Sequence, residues 1–424
     1  MCWKETTFAK LTFFKLEVKV NKRKIFNDPV YGFVTVPNEL IFDLIEHPYF
    51  QRLRRIKQLG LTHLVYPGAL HTRFQHSLGA MHLMERAINE LRFKGHDITD
   101  EEAEGALIAI LLHDIGHGPY SHALEHAIVD GVNHEQISSI FMNRLNSCFN
   151  GKLDLAISIF NGDYKKKYLH KLVSGQFDMD RLDYLKRDSF FTGVSEGIVN
   201  YERLLSMINV VDDELVIEAK GIYSVEKFIT ARRLMYWQVY LHKTVLVAEY
   251  TIINVLKRAK ELRLQGVELF ATPAFDFFLK NKVTLTEFEN NDEVIKKFAK
   301  LDDYDIFTSM KVWVTHPDPI LSALSSSIIN RRLLKIEMQN EPFDDDYISE
   351  VRKQAMEKLN LNEDEVGYFV INDKTSNYTY KIGSDKIGVL YKNGEVVDIA
   401  EASDQLNISS LKVPTTKFFV CYPK

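Results

Sequence analysis

The chain has 424 residues, of which 46% are hydrophobic and 26% charged, with a formal net charge of −5 at pH 7. This length exceeds one ordinary core, so one large domain with an appendage is expected, and the apolar content excludes a disordered chain. The charge balance calls for neither nucleic acid nor an acidic membrane. Three widely spaced cysteines (Cys2, Cys148, Cys421) without a CxxC indicate neither a disulfide framework nor a zinc ribbon.

Lys4, Glu5 and Lys10 interrupt the apolar N-terminus, which lacks a signal-peptide pattern, so a cytoplasmic location is expected. Alternation from Leu11 to Val20 predicts a strand or hairpin arm. From Leu40 onward helical periodicity dominates, with joins at Pro67-Gly68 and Gly116-His117-Gly118-Pro119. His71-Thr72-Arg73-Phe74-Gln75-His76-Ser77 opens a helix that continues through Met81 and Met84. The run from Ala106 to Leu112 is almost wholly apolar, predicting a buried helix, and it is too short to span a bilayer.

That helix ends in His113-Asp114. Burying such a pair costs several kcal/mol without compensation. A divalent cation compensates it most simply, because imidazole and carboxylate are natural ligands. A satisfied core histidine beside a backbone-bonded aspartate is the competing interpretation. Other polar groups gather on either side. His122, Glu125 and His126 share one helical face. So do Asp180, Asp183, Tyr184 and Arg187, a stripe that makes a poor core but a reasonable pocket wall.

Asn209 to Ala219 reads as a small hairpin with an acidic turn. A long helix is predicted from Val225 to Leu262, with Arg232, Tyr236, Tyr240 and Lys243 on one stripe. After Pro342 a short helix, Ser349 to Lys358, gives way to alternating segments at Tyr368–Ile371, Ile387–Tyr391 and Lys417–Tyr422. The fold class is therefore mostly α with small β-hairpins and a C-terminal α+β appendage, divided as residues 1–340 and 341–424. Neither GxxxxGK[ST] nor GxGxxG occurs, so any phosphate chemistry is expected to be metal-centred.

The order His76, His113-Asp114, Asp180 resembles the H…HD…D signature of the HD phosphohydrolase superfamily. Further segments resemble its deoxynucleoside triphosphate triphosphohydrolases: Gln51 to Gly60, Tyr66-Pro67-Gly68-Ala69, Arg73 to Gly79, His113 to His122, and Asp178 to Tyr184. The resemblance spans roughly Asn27 to Lys243 and includes vertebrate members with a sterile-alpha-motif module. No such module is expected in the two dozen residues before Asn27. The resemblance implies an HD helical core and hydrolysis of deoxynucleoside triphosphates to deoxynucleoside and triphosphate. A nucleotide-binding regulatory HD module, or another HD phosphomonoesterase or phosphodiesterase, is the alternative.

The same resemblance implies His76, His113, Asp114 and Asp180 as ligands of Mn, Fe, Mg or Zn. It implies His122 as general acid oriented by Glu125, with His117 at the phosphate and His134-Glu135 in the same site. Charge makes Arg73, Arg232 and Lys243 candidates for the triphosphate. Tyr184 and Tyr240 offer faces to the sugar. Gln58 and Leu59 match positions near the base or sugar, and Asp188 one at the 3′-hydroxyl. Lys24, Asn27, Gln51, Arg54 and Arg203 are similar to residues of a regulatory nucleotide site between subunits, so a nucleotide effector and a homo-oligomer (dimer or tetramer) are expected. Glu46 stands where the family has a guanine-reading aspartate, which puts effector specificity in doubt.

Overall fold

Each helix that frames the centre of the molecule starts at a cap written in the sequence. The Arg73–Phe93 helix begins at Thr72 in a capping box with Gln75, and the Asp100–Leu112 helix at Thr99 in a box with Glu102. Asn133 caps His134–Cys148, and Asp178 caps Met179–Thr192 by accepting from the Arg181 amide at 2.7 Å. Gly193, at φ 75°, closes that last helix in the left-handed conformation. In this computed structural model the described residues are 24–121, 128–129, 131–377, 386–404 and 415–424. The expected Leu11–Val20 strand lies outside them.

The Arg73–Phe93 helix packs on both Asp100–Leu112 and Met179–Thr192. Every residue from Gly105 to Leu112 is buried. The close approach of the Met179–Thr192 helix depends on Gly79, where an added Cβ would lie 2.0 Å from Asp183 Oδ1 and 2.2 Å from Arg187 Nη2. At the N-terminal side an antiparallel hairpin, β1 (Ile25–Asp28) and β2 (Gly32–Thr35), lies against this group.

The acidic hairpin is present as β3 (Ile208–Val211) and β4 (Glu214–Glu218), with Asp212 and Asp213 both at positive φ in the turn. The single long helix expected from Val225 to Leu262 is corrected. Ile222–Met235 passes into a π-helical turn at Tyr236–Tyr240, the chain breaks, and His242 caps a new helix at Lys243–Leu264.

The C-terminal part is α+β. A helix at Asp345–Leu359 precedes β6 (Ile371–Asn377), β7 (Gly388–Leu390), β8 (Val396–Asp398) and β9 (Thr415–Tyr422). Strand β9 lies between β5 (Lys335–Gln339) and β6, antiparallel to both. Strand β7 pairs in parallel with β4, so the tail completes a sheet begun in the first half of the chain. Tyr368, Phe369, Val389 and Phe419 join the main core, while Val351, Ala355, Val366, Val370 and Val420 form a small second one. Cys421 is a buried thiol, and Cys2 lies outside the described residues.

Candidate metal centre

Four side chains from two helices and the end of a third converge. His76 projects from the Arg73–Phe93 helix, His113 and Asp114 follow the last turn of Asp100–Leu112, and Asp180 stands in the first turn of Met179–Thr192. The two Nε2 atoms are 3.4 Å apart. His76 Nε2 lies 3.1 Å from Asp180 Oδ1 and 3.6 Å from Asp114 Oδ2. His113 Nε2 lies 3.3 Å from Asp114 Oδ1 and 3.6 Å from Asp180 Oδ1.

The tautomers follow from the opposite ring edges. His76 Nδ1 donates to Asp183 Oδ2 at 2.8 Å, and His113 Nδ1 donates to the Ile110 carbonyl at 2.6 Å. In the neutral rings both Nε2 lone pairs are thereby turned onto the same point, an arrangement that repels unless a proton or a metal cation sits between them. Burial pulls the His76 imidazole down, but Asp180 and Asp183 outweigh it and carry the group up to about 10. Asp180 is held well below the usual carboxylate range, its burial overcome by His113 and His76. This preference for positive charge, with mixed nitrogen and oxygen donors, fits a divalent transition metal or magnesium.

Beside the cage, Asp114 also meets His117, whose Nε2 is 3.3 Å from Oδ1, and His134 stacks on His117 at 3.8 Å between centroids. Asp114, His117 and His134 bring ligand-type atoms within 4.8 Å of one another. Burial first, then Arg73, holds the His117 imidazole well below its ordinary value and therefore neutral. Arg73 is buried, paired with Asp114 and bonded through Nε to Ser121 Oγ at 2.9 Å. His122 and Glu125 lie outside the described residues.

The glycine-rich turn is packed to a close tolerance. A Cβ on Gly116 would lie 2.3 Å from both His134 O and Ser138 N, while Ser138 Oγ donates to His113 O and accepts from Gly116 N. Arg52, fully buried between Phe141 and Phe298, donates to Ile115 O at 2.8 Å. Tyr120 and Ser121 stand at φ 54° and 53°, a conformation costing about 1–3 kcal/mol per residue. Asp303 holds it by accepting from Tyr120 N at 2.8 Å and Lys57 N at 3.0 Å. Asp303→Ala strands two buried amides and is expected to lower stability by about 2–4 kcal/mol. A urea midpoint equal to the parent's would contradict that role.

One turn beyond Asp180, Tyr184 meets Tyr240 edge to face at 6.1 Å. Asp188 accepts from the Tyr240 hydroxyl at 2.8 Å and bonds His71 Nε2 at 2.7 Å. Gln58 donates its backbone N–H to His71 O, and its side-chain Oε1 is buried without a hydrogen-bond partner among the described residues. Leu59 is half-buried beside it, and Arg232 is buried near Tyr184, whose phenol burial pushes well up against the opposing pull of Arg232. Lys243 is exposed and lies past the helix break. Of the regulatory candidates, Lys24 covers Phe42, and Arg54 bonds Gln51 and covers Phe74, against which Phe26, next to Asn27, packs. Arg203 instead donates to Lys220 O.

Asp180, Asp183, Tyr184 and Arg187 do not act as one wall. Asp180 enters the cage, Tyr184 the aromatic cleft, and Asp183 with Arg187 stands behind His76. The support roles of Asp303 and Arg52 had no local signal, since each acts on a distant segment. Arg181, paired with Asp178 and electrostatically coupled to Asp180, Tyr184 and Tyr236, is a further cation here.

Residues 73–161 match the HD domain family model, and residues 199–270 that of the HD associated region. A solved phosphohydrolase of Bacteroides thetaiotaomicron is 55% identical with a TM-score of 0.92, over 95% of this chain and all of that one. The chain belongs to the HD-domain phosphohydrolases. An uncharacterised Bacillus subtilis protein, YwfO, is 34% identical over 91% of this chain and 89% of its own length. Human SAMHD1, a deoxynucleoside triphosphate triphosphohydrolase, is 29% identical, over 58% of this chain and 46% of SAMHD1. The corresponding Dictyostelium discoideum homologue is 33% identical, over 56% and 50%. Among the described residues no helix is long and apolar enough to cross a membrane.

Proposed function

We propose that this phosphohydrolase cleaves deoxynucleoside triphosphates to deoxynucleoside and inorganic triphosphate. The observation that carries the proposal is the Met179–Thr192 helix. It presents Asp180 to the cage, Tyr184 one turn on, and Asp188 one turn further, aligning a phosphate end with a sugar end.

Bound by His76, His113, Asp114 and Asp180, a divalent ion (Mn, Fe, Mg or Zn) would polarise a phosphoryl oxygen and make water acidic enough to ionise near neutral pH. Asp188, whose two oxygens are oriented by His71 and Tyr240, would accept from the 3′-hydroxyl. Tyr184 and Tyr240 flank the sugar, and their bulk excludes a 2′-hydroxyl. A triphosphate carries about four negative charges and needs several cations. Arg73, Arg181, Arg232 and Lys243 supply them, while neutral His117 donates to a phosphate oxygen. His122, oriented by Glu125, protonates the departing 5′-oxygen, with His134 supporting that side. Lys24, Asn27, Gln51, Arg54 and Arg203 are proposed to serve a nucleotide effector in a homo-oligomer.

Chromatography of products from Mn-loaded protein with each dNTP and GTP, alone and in pairs, tests this. Deoxynucleoside plus triphosphate is expected, with the pairs exposing any effector. No dNTP turnover in any pairing would overturn it in favour of another phosphoester or a binding module. Tyr240→Phe frees one oxygen of Asp188 and is expected to raise KM about tenfold, with a smaller change in kcat. An unchanged KM would remove the pair from the sugar site.

A further inference from the structure

We infer that Asp28, on the β1–β2 hairpin, is a positioning residue for the metal centre that acts through Arg187 and Asp183 on His76. The inference rests on His76 being a metal ligand and is independent of the nucleotide substrate.

The connection is continuous. Asp28 Oδ2 accepts from Arg187 Nη1 at 2.7 Å. Arg187 then grips Asp183 with two bonds, Nε to Oδ2 at 2.9 Å and Nη2 to Oδ1 at 3.0 Å. Asp183 Oδ2 accepts from His76 Nδ1 at 2.8 Å. The side chains of Arg187, Asp183 and His76 are each 0% exposed and that of Asp28 6%, so water neither screens nor replaces any of these bonds.

The charges explain why a second carboxylate is needed. Alone with Asp183, the Arg187 guanidinium would neutralise it and weaken its pull on the imidazole N–H. With Asp28 on its far side, Arg187 is shared between two anions, and net negative charge is left facing His76. That charge fixes the Nδ1–H tautomer and makes Nε2 a better donor to a cation. The remaining oxygen of Asp28 accepts from Val30 N at 2.8 Å and Tyr31 N at 3.0 Å, so the turn of the hairpin holds the carboxylate in place.

Asp28→Asn separates the two jobs, because an amide oxygen still closes the turn while the charge toward Arg187 is gone. Titration of the full-length apo-protein with Mn2+, followed by EPR of the free ion, measures the metal alone. The dissociation constant is expected to rise about tenfold or more. Asp28→Glu, which keeps the charge but displaces it, gives a smaller rise and serves should the Asn variant not fold. Val34→Ala loosens the same hairpin at a buried position outside the relay and is expected to leave Mn2+ affinity unchanged. Affinity of Asp28→Asn within twofold of the parent, or an equal loss in Val34→Ala, overturns the inference. A parent protein that binds no Mn2+ overturns the ligand assignment itself, whereas absent dNTP turnover with tight Mn2+ leaves this inference standing.

Discussion

Asp114→Ala is expected to abolish metal retention and to lower phosphohydrolase turnover about a thousandfold or more. Asp114 is the residue that the most site groups share: His76, His113, His117 and Arg73 all contact its carboxylate. Its removal takes one charge from the cage and leaves the Arg73 guanidinium, 3% exposed, without its anion. A buried charge stripped of its partner costs about 3–5 kcal/mol, so the alanine variant also melts earlier. Asp114→Asn separates the effects. Its amide oxygen still accepts from Arg73, so stability falls less, while the lost charge still removes the metal. Metal content by mass spectrometry, measured alongside turnover and thermal melts, distinguishes these outcomes. An Asn variant with parental metal and turnover would contradict the cage.

The second large effect is steric. Gly116→Ala places a methyl group 2.3 Å from two backbone atoms, His134 O and Ser138 N, neither of which can rotate away. The His113-Asp114 turn and the His134–Cys148 helix must separate, breaking the Ser138 bridge between His113 O and Gly116 N. Overpacking of this kind is expected to cost about 3 kcal/mol and to weaken metal binding together with stability. Gly367→Ala, where the added Cβ meets nothing within 4 Å and φ is ordinary, is the matched control. Equal melting temperatures for the two variants would contradict the close packing.

Much of the centre could be read from local pattern. An apolar helix ending in His-Asp points to compensation of buried polar groups, and Asp180 with Tyr184 lies on a stripe that cannot be core. Capping residues Thr72, Thr99 and Asp178 mark helix starts in the sequence itself. What could not be read depends on which elements meet. Asp183 and Arg187 share the stripe with Asp180, yet they serve a different side because Gly79 lets the two helices approach closely there. Asp303 and Arg52 act on the glycine-rich turn from segments far away in sequence, where no spacing rule applies. The spacing of Arg232, Tyr236, Tyr240 and Lys243 suits an uninterrupted α-helix, and no proline or glycine warns of the π turn. There Tyr66 donates its hydroxyl to Gln238 O, a contact from a distant loop. The pairing of β4 with β7 is likewise non-local.

Anomalous diffraction at the manganese edge from crystals grown with Mn2+ tests the central claim most directly. A peak about 2.1 Å from His76 Nε2 and His113 Nε2, and touching Asp114 and Asp180, is the predicted result. Density at the protein's other acidic clusters with none between those two imidazoles would contradict it.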